Sequence, residues 1–509
     1  MTEATPSHLP GRNGEGDEAY ESPPNLTGTV FTSLKWTVSS RLIRDGTRFA
    51  VGVLLAHKLT PEEWGIAGMA LVVVAFLSML TDMGLAAALV QQARITEADR
   101  STLFWASLIL GLTVTLLAIA VSGVVASFFG EPEVQSLFAV ASVTFAIYSL
   151  EKVPGTLLTR ELAFRALEIR QITATVAGAV VALALAIAGA GAWAIIANAV
   201  ATAAVSCTLL WFMTSWRPRL EFDFGSFRRM TRYGGSLLAS QLLTYFQLNT
   251  DKLLIGRYIG AAPLGNYQLA TQLMFTPIGN ISYPLQGVFF PVLSTIQDDP
   301  GRMTAAWLRG KRLAVTIMAP LFMTLFVVAP DLVPALFGSK WDDSIPVLQL
   351  LCLGGVAHSL STLNWSLLMA KDQLGTLFRL TVLTTAVVVG AVVTAIVLDA
   401  GIVGVAGAFS AAFWILVIPE IWMTARAGSI PFWPALRATC AALPFVAVAS
   451  VIAYASLALI ESGTSSVVRI VVSSVVLITV YVAVAFAGSR PLRAEIRQAI
   501  RRLRRRRSK

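Results

Sequence analysis

Apolar runs of about 20 residues, separated by short polar connections, recur from residue 30 to residue 487. A helix rises about 1.5 Å per residue and the hydrocarbon core of a bilayer is about 30 Å thick, so each run can cross a membrane as one helix. The pattern predicts fourteen spans, near 30–55, 65–90, 102–129, 133–153, 168–188, 191–213, 233–259, 265–294, 310–330, 344–369, 375–398, 402–424, 435–460 and 466–487. A membrane β-barrel would show short alternating segments instead. Residues 1–27 are polar, contain Pro and Gly, lack the apolar stretch of a signal peptide, and read as a disordered cytoplasmic tail.

The basic residues divide sharply between the two sets of connections. Connections after even-numbered spans, with the C-terminal tail, hold twenty-nine Lys and Arg; those after odd-numbered spans hold four. Cytoplasmic loops carry such an excess, so both termini are expected in the cytoplasm and the number of spans is expected to be even. The bacterial cytoplasmic membrane is the natural setting. The same distribution explains the formal net charge of +10 without nucleic acid, since the charge sits in short loops and in the basic tail 489–509. That tail reads as an anchor on anionic headgroups or as a docking site for a cytoplasmic partner.

Composition changes the picture little. The chain is 56% hydrophobic and 13% charged, against about 25% charged residues in soluble domains. Cys207, Cys352 and Cys440 stand alone in apolar sequence, and His8, His57 and His358 are scattered. No disulfide framework, metal site or cofactor motif is expected. No Walker motif or nucleophile elbow is present, so the chain is not expected to hydrolyse ATP or to be an enzyme.

One stretch breaks the apolar pattern. In SSRLIRDGTRF, residues 39–49, Arg41, Arg44, Asp45 and Arg48 fall at i, i+3, i+4 and i+7, on one face of the first span. Arg does not deprotonate in proteins, and a charge inside the membrane must meet water or a partner. Asp45 can offset one of the three arginines, which leaves a surplus for a cavity or a ligand. Arg41 and Arg44 could instead reach the headgroups; Arg48 lies two turns deeper than Arg41.

The chain also repeats. Shifted by 200 residues, KLTPEEWGIAGMA (58–70) lies over YIGAAPLGNYQLA (258–270), with Leu59, Gly65 and Ala70 facing Ile259, Gly265 and Ala270. Both stretches follow an odd-numbered span, so the halves run in the same direction. The expected fold is an all-α polytopic membrane protein with two parallel-repeat six-helix bundles and a C-terminal helix pair. The expected divisions are 1–27, 28–215, 216–425, 426–488 and 489–509.

These stretches, with TDKLLIGRYIGAAPLGNYQLATQLMFTPIGNISYPLQGVFFPVLS (250–294) and LFGSKWDDSIPVLQLL (336–351), resemble the polysaccharide flippases. That family exports lipid-linked O-antigen and capsule repeat units, within the multidrug/oligosaccharidyl-lipid/polysaccharide exporter superfamily. The resemblance covers roughly residues 28–425. It implies two six-helix bundles around a central cavity, alternating access, and a polyprenyl-diphosphate-linked oligosaccharide as substrate. It also implies basic cavity residues on the diphosphate, a role that Arg41, Arg44 and Arg48 match by position. Membrane lipids, and polysaccharide polymerase and glycosyltransferase partners, go with such a role. The extra helix pair resembles the lipid II flippases, so a lipid II or drug exporter of the same superfamily is the alternative. A membrane glycosyltransferase or polymerase is a further one, set against the short outer connections.

The seventh span carries the repeat's other lead helix. Gln241, Thr244, Tyr245 and Leu248 are the 200-shifted counterparts of Arg41, Arg44, Asp45 and Arg48, so both lead helices present a face toward a shared cavity but the charge belongs to the first half. Gln241, Thr244, Tyr245 and Asn249 suit sugar hydroxyls, with Tyr245 able to stack on a ring. Lys252 joins the candidate substrate contacts, and Asp45, Asp82 and Asp251 are candidates for ion coupling; Asp82 could instead pair with an arginine, and Asp251 and Lys252 with neighbouring helices. Pro277 and Pro284 predict a break in the eighth span. Asn280 and Gln286 suit interhelical hydrogen bonds, and GIVGVAG (401–407) suits close helix packing.

Overall fold

The computed structural model describes residues 44–82, 95–457 and 464–488, with the side chains of Asp82 and of residues 229–240 outside the description. Arg41, the Asp82 carboxylate and both terminal tails therefore lie outside the described residues. The first half contains α1 (44–58), α2 (Pro61–Asp82), α3 (Glu97–Ala120), α4 (Ser122–Phe129), α5 (Glu133–Arg160), α6 (Phe164–Ile187) and α7 (Trp193–Met213). The second half contains α8 (Phe224–Tyr258), α9 (Ala261–Pro277), a π-helical turn (Ile278–Ser282), α10 (Tyr283–Thr295), α11 (Pro300–Phe337), α12 (Ser344–Ser361), α13 (Asn364–Ala370), α14 (Leu374–Val397) and α15 (Gly401–Gly428). The appended pair is α16 (Phe432–Thr439) with α17 (Leu443–Leu457), followed by α18 (Ser466–Gly488). No strand occurs among the described residues.

Eleven helical stretches among the described residues are long and apolar enough to cross a membrane, and they coincide with the second to sixth and the ninth to fourteenth expected spans. The first, seventh and eighth expected spans coincide with helices of other character. The described part of α1 is short, α8 is rich in polar residues, and the eighth span is broken between α9 and α10. Pro277 ends α9 and Pro284 begins α10, so each removes a ladder N–H on either side of the π turn.

Two short sections close the repeat in space. A Cβ built on Gly65 would stand 1.8 Å from the Ala261 carbonyl oxygen, and one on Gly265 would stand 1.9 Å from the Pro61 carbonyl oxygen. Residues 61 and 261, like 65 and 265, are 200 apart, so each half offers the same glycine to the same turn of the other. This is a pseudo-two-fold crossing of α2 and α9 at backbone contact, which no side chain larger than hydrogen allows.

The turns extend the repeat beyond the ungapped match. Leu162 and Asp372 both take the left-handed conformation, and so do Gly189 and Asp399. In the first pair, Ala163 N donates to Leu158 O and Gln373 N to Leu368 O; in the second, Ala190 N donates to Leu185 O and Ala400 N to Ala395 O. All four are the six-to-one bond that closes a helix C-terminus. The offset has grown from 200 to 210 residues, because the second half carries extra residues between its second and fourth helices.

Connections are held by specific polar contacts. The Thr96 and Asp99 side chains form a capping box at the start of α3, and Asp223 caps α8. Ser226 Oγ donates to Asp99, Asp223 N to Thr102 Oγ1 at 2.8 Å, and Trp216 Nε1 to Glu97 Oε2 at 3.1 Å. The link between the halves is thereby docked on the start of α3. The appended pair packs on α11, with Tyr481 Oη donating to Thr316 O at 3.0 Å and Arg469 paired to Asp331 at 3.0 Å.

Candidate substrate cavity

The helices of the three expected spans that fall short of the apolar-span pattern, α1, α8, α9 and α10, border the space between the halves together with α2. A cavity of 590 Å³ is lined by Trp64, Gly68 and Val72 of α2, Leu248, Asn249 and Lys252 of α8, Gln268, Thr271, Gln272 and Phe275 of α9, and Tyr283 of α10. A second, of 340 Å³, lies against the first half, lined by Arg48, Val51 and Gly52 of α1, Tyr148 of α5, Thr175 of α6, and Asn198 and Thr202 of α7. Trp64, Ile195 and Gln272 line both, so the two adjoin. The polar side chains of α8 that line this space, Asn249 and Lys252, meet it rather than lipid.

The charged face of α1 divides. Arg44 is half-buried and meets Glu168 of α6 at 3.3 Å and Asp45 at 3.7 Å. Arg48, one turn further, is exposed to the smaller cavity, and among the described residues it makes no hydrogen bond or ion pair. The expected surplus of charge is thus reduced by Glu168, an acid on another helix, and what remains of the charged face in the described part of α1 is Arg48. A second ion pair stands behind it, Arg170 to Glu151 at 3.3 Å, with Ser206 Oγ donating to the same carboxylate at 2.8 Å.

On α8, Lys252 Nζ donates to Asn249 Oδ1 at 3.0 Å and to Leu248 O at 3.2 Å, and both Lys252 and Asn249 line the larger cavity. Asp251 is buried on the other face, accepting from Tyr267 Oη of α9 at 2.7 Å. That interhelical partner is the reading of Asp251 that the geometry favours. Tyr245 is only 2% exposed; it donates its hydroxyl to the Val72 carbonyl and packs on Phe76, so it joins α8 to α2 and lines neither cavity. Gln241 is half-buried and Thr244 exposed, and neither lines the two cavities. Asp45 has its own contacts with Arg44 and elsewhere.

Sequence reasoning missed several lining residues. Asn198 and Thr202 stand at i, i+4 on α7, and Gln268 and Gln272 at i, i+4 on α9. Two polar residues one turn apart in an apolar span were the available signal, the same one that singled out α1.

At the end where α1, α4 and α11 finish, the halves close on each other. Trp341 Nε1 donates to Ala56 O and Lys340 Nζ to His57 O, both at 3.0 Å, so the second half caps carbonyls that the end of α1 leaves free. Lys340 is held below the usual lysine range by desolvation, partly offset by Glu63. Reciprocally, the Phe129 ring of the first half lies against Gly256 of α8.

Residues 54–346 match a family described as polysaccharide biosynthesis protein, more than half of the chain. The chain belongs to that family. Among its relatives, the lipopolysaccharide biosynthesis protein WzxC of Escherichia coli strain K12 is 26% identical over 72% of this chain and 75% of its own. The succinoglycan biosynthesis transport protein ExoT of Rhizobium meliloti strain 1021 is 26% identical over 79% of this chain and 82% of its own. The family's fold has solved counterparts. The lipid II flippase MurJ, in an inward closed conformation, superposes with a TM-score of 0.70 at 13% identity, covering 91% of this chain and 99% of that one. An inward-facing multidrug resistance MATE transporter gives 0.59 at 17% identity, over 78% and 98%. The protein is therefore an all-helical, multi-pass membrane member of the polysaccharide biosynthesis family.

Proposed function

We propose that the protein is a flippase that carries a polyprenyl-diphosphate-linked oligosaccharide across the bacterial cytoplasmic membrane for surface polysaccharide biosynthesis. The observation that carries this reading is a cation in each of two adjoining cavities: Arg48 from the first half and Lys252 from the second. A diphosphate brings about two negative charges and oxygen atoms that suit a guanidinium fork. Trp64, Gln268, Gln272, Asn198 and Thr202 supply the flat and hydrogen-bonding surfaces that sugars use.

The protein acts by moving its substrate, with no bond made or broken. Both termini lie in the cytoplasm, and the capped end of α1 faces outward. The halves then alternate by parting at this end, which releases the Trp341–Ala56 and Phe129–Gly256 contacts together with the crossing of the first turns of α2 and α9. The polyprenyl tail stays in the bilayer, and only the head group uses the cavity.

The test is complementation of a strain lacking the gene, read as polysaccharide on the cell surface with the amount of membrane-inserted protein measured alongside. Arg48→Ala at normal protein level is expected to leave little surface polysaccharide, with the lipid-linked precursor accumulating. Full export by the Arg48→Ala/Lys252→Ala double variant would end the proposal for a diphosphate site.

A further inference from the structure

A second polar centre lies inside the other half, away from the cavity. The tenth span breaks between α12, ending at Ser361, and α13, starting at Asn364. A break inside the membrane frees carbonyls that must find donors. Three side chains supply them: Lys311 Nζ donates to Leu360 O, Gln286 Nε2 to Thr362 O at 2.7 Å, and Trp307 Nε1 to Leu363 O at 3.1 Å. A neutral donor would suffice for the third carbonyl, as tryptophan and glutamine do for the other two. A lysine that is only 2% exposed brings a charge as well.

The opposite charge comes from α15. Glu420 is buried within electrostatic reach of Lys311 without a direct ion pair, and its carboxylate accepts from Thr384 Oγ1 of α14 at 3.2 Å, with Ser361 and Asn364 beside it. The ammonium also lies 5.3 Å from the centre of the Trp307 ring, a face that attracts cations. Further polar atoms of the same region are unpartnered: both ends of the Asn364 amide, and Thr424 Oγ1 one turn beyond Glu420, are buried without a hydrogen-bond partner. One carboxylate, one freed carbonyl, hydroxyls and an amide oxygen form a hard-oxygen set with a single negative charge. Unwound carbonyls beside such groups are what transporters use to hold a monovalent cation.

We propose that the break of the tenth span and Glu420 form a monovalent-cation site, which in this chain is held by the Lys311 ammonium in place of a sodium ion. A tethered ammonium ties α11, α12 and α15 together at one point. It also makes occupancy of the site independent of sodium concentration. The proposal needs no substrate and stands apart from the flippase reading.

The experiment uses the full-length protein in detergent, with thermal unfolding followed in sodium chloride, potassium chloride and choline chloride. The wild-type midpoint is expected to be the same in all three. Lys311→Ala is expected to gain a sodium-specific rise of a few degrees, which the Lys311→Ala/Glu420→Gln variant lacks. A sodium-specific rise in the wild type, or a folded Lys311→Ala variant blind to sodium, overturns the proposal. Should Lys311→Ala not accumulate, membrane levels decide: Lys311→Met/Glu420→Gln is expected to accumulate better than Lys311→Met alone. The reverse order would mean that Lys311 is not the counter-charge of Glu420.

Discussion

The lead helices α1 and α8 start from the same backbone plan and finish with different chemistry. On α1 an arginine reaches Glu168 and the next cation, Arg48, is left to the cavity. On α8 the acid, Asp251, turns away to Tyr267, and the lysine beside it, Lys252, is left to the cavity. Each helix pairs one charge within the protein and leaves one cation to a cavity. The repeat preserves the scaffold and the sign of the exposed charge; the partners that select which charge is exposed come from elsewhere. Such a two-sided but unequal cavity suits a substrate with an anionic group at one place and neutral sugars at the other.

This comparison can be broken most severely at the crossing that holds the halves in register. Gly65→Ala and Gly265→Ala each drive a methyl into a backbone carbonyl, at a cost of about 1–3 kcal/mol or more. Thermal midpoints should fall by similar amounts in the two variants; a fall in only one would mean that the crossing is not two-fold. Next comes Arg48→Ala. Losing a charge-assisted contact of about 1.5–3 kcal/mol corresponds to an export defect of about ten- to a hundredfold, and Arg48→Lys should recover part of it, since it keeps the charge and loses the fork. Lys252→Ala should cost less, about tenfold or below, because an ammonium offers a point charge, and Lys252→Arg should export at near wild-type rate. Arg44 sharpens the contrast. Arg44→Met with Glu168→Leu should fold and export better than Arg44→Met alone, because the single change strands an acid. Substituting Arg426, whose guanidinium lies over Trp422 at the end of α15, by Ala should leave export unchanged.

Much of the architecture was legible because bilayer thickness sets a length scale that apolar runs report directly. The break at Pro277 and Pro284 was legible because proline lacks the N–H a helix needs. The charged face of α1 was legible as a face. Which member of it faces the cavity was not, because Glu168 sits 124 residues from Arg44 and periodicity along one helix carries no information about another. Tyr245 shows the same limit: spacing put it on a polar face, and tertiary packing gave its hydroxyl to Val72. The repeat was found only where its offset stays at 200, since an ungapped comparison loses register once the second half lengthens. Backbone dihedrals at Leu162 and Asp372 recover it, because turn geometry is kept where side-chain identity is not.

The glycine crossing has one more consequence. Gly65 lies on Ala261, and Gly265 lies on Pro61. Residue i touching j while the equivalent j touches the equivalent i is the contact rule of an isologous interface, the kind that joins two identical subunits about a two-fold axis. The halves of this chain therefore meet as a homodimer would, although they are covalently joined and no longer alike. Because the two halves are coded separately, a change at Gly65 or Gly265 is made once, but what it meets is a backbone carbonyl that no substitution in the other half can trim. That places the strictest demand for smallness at two positions that touch no substrate at all.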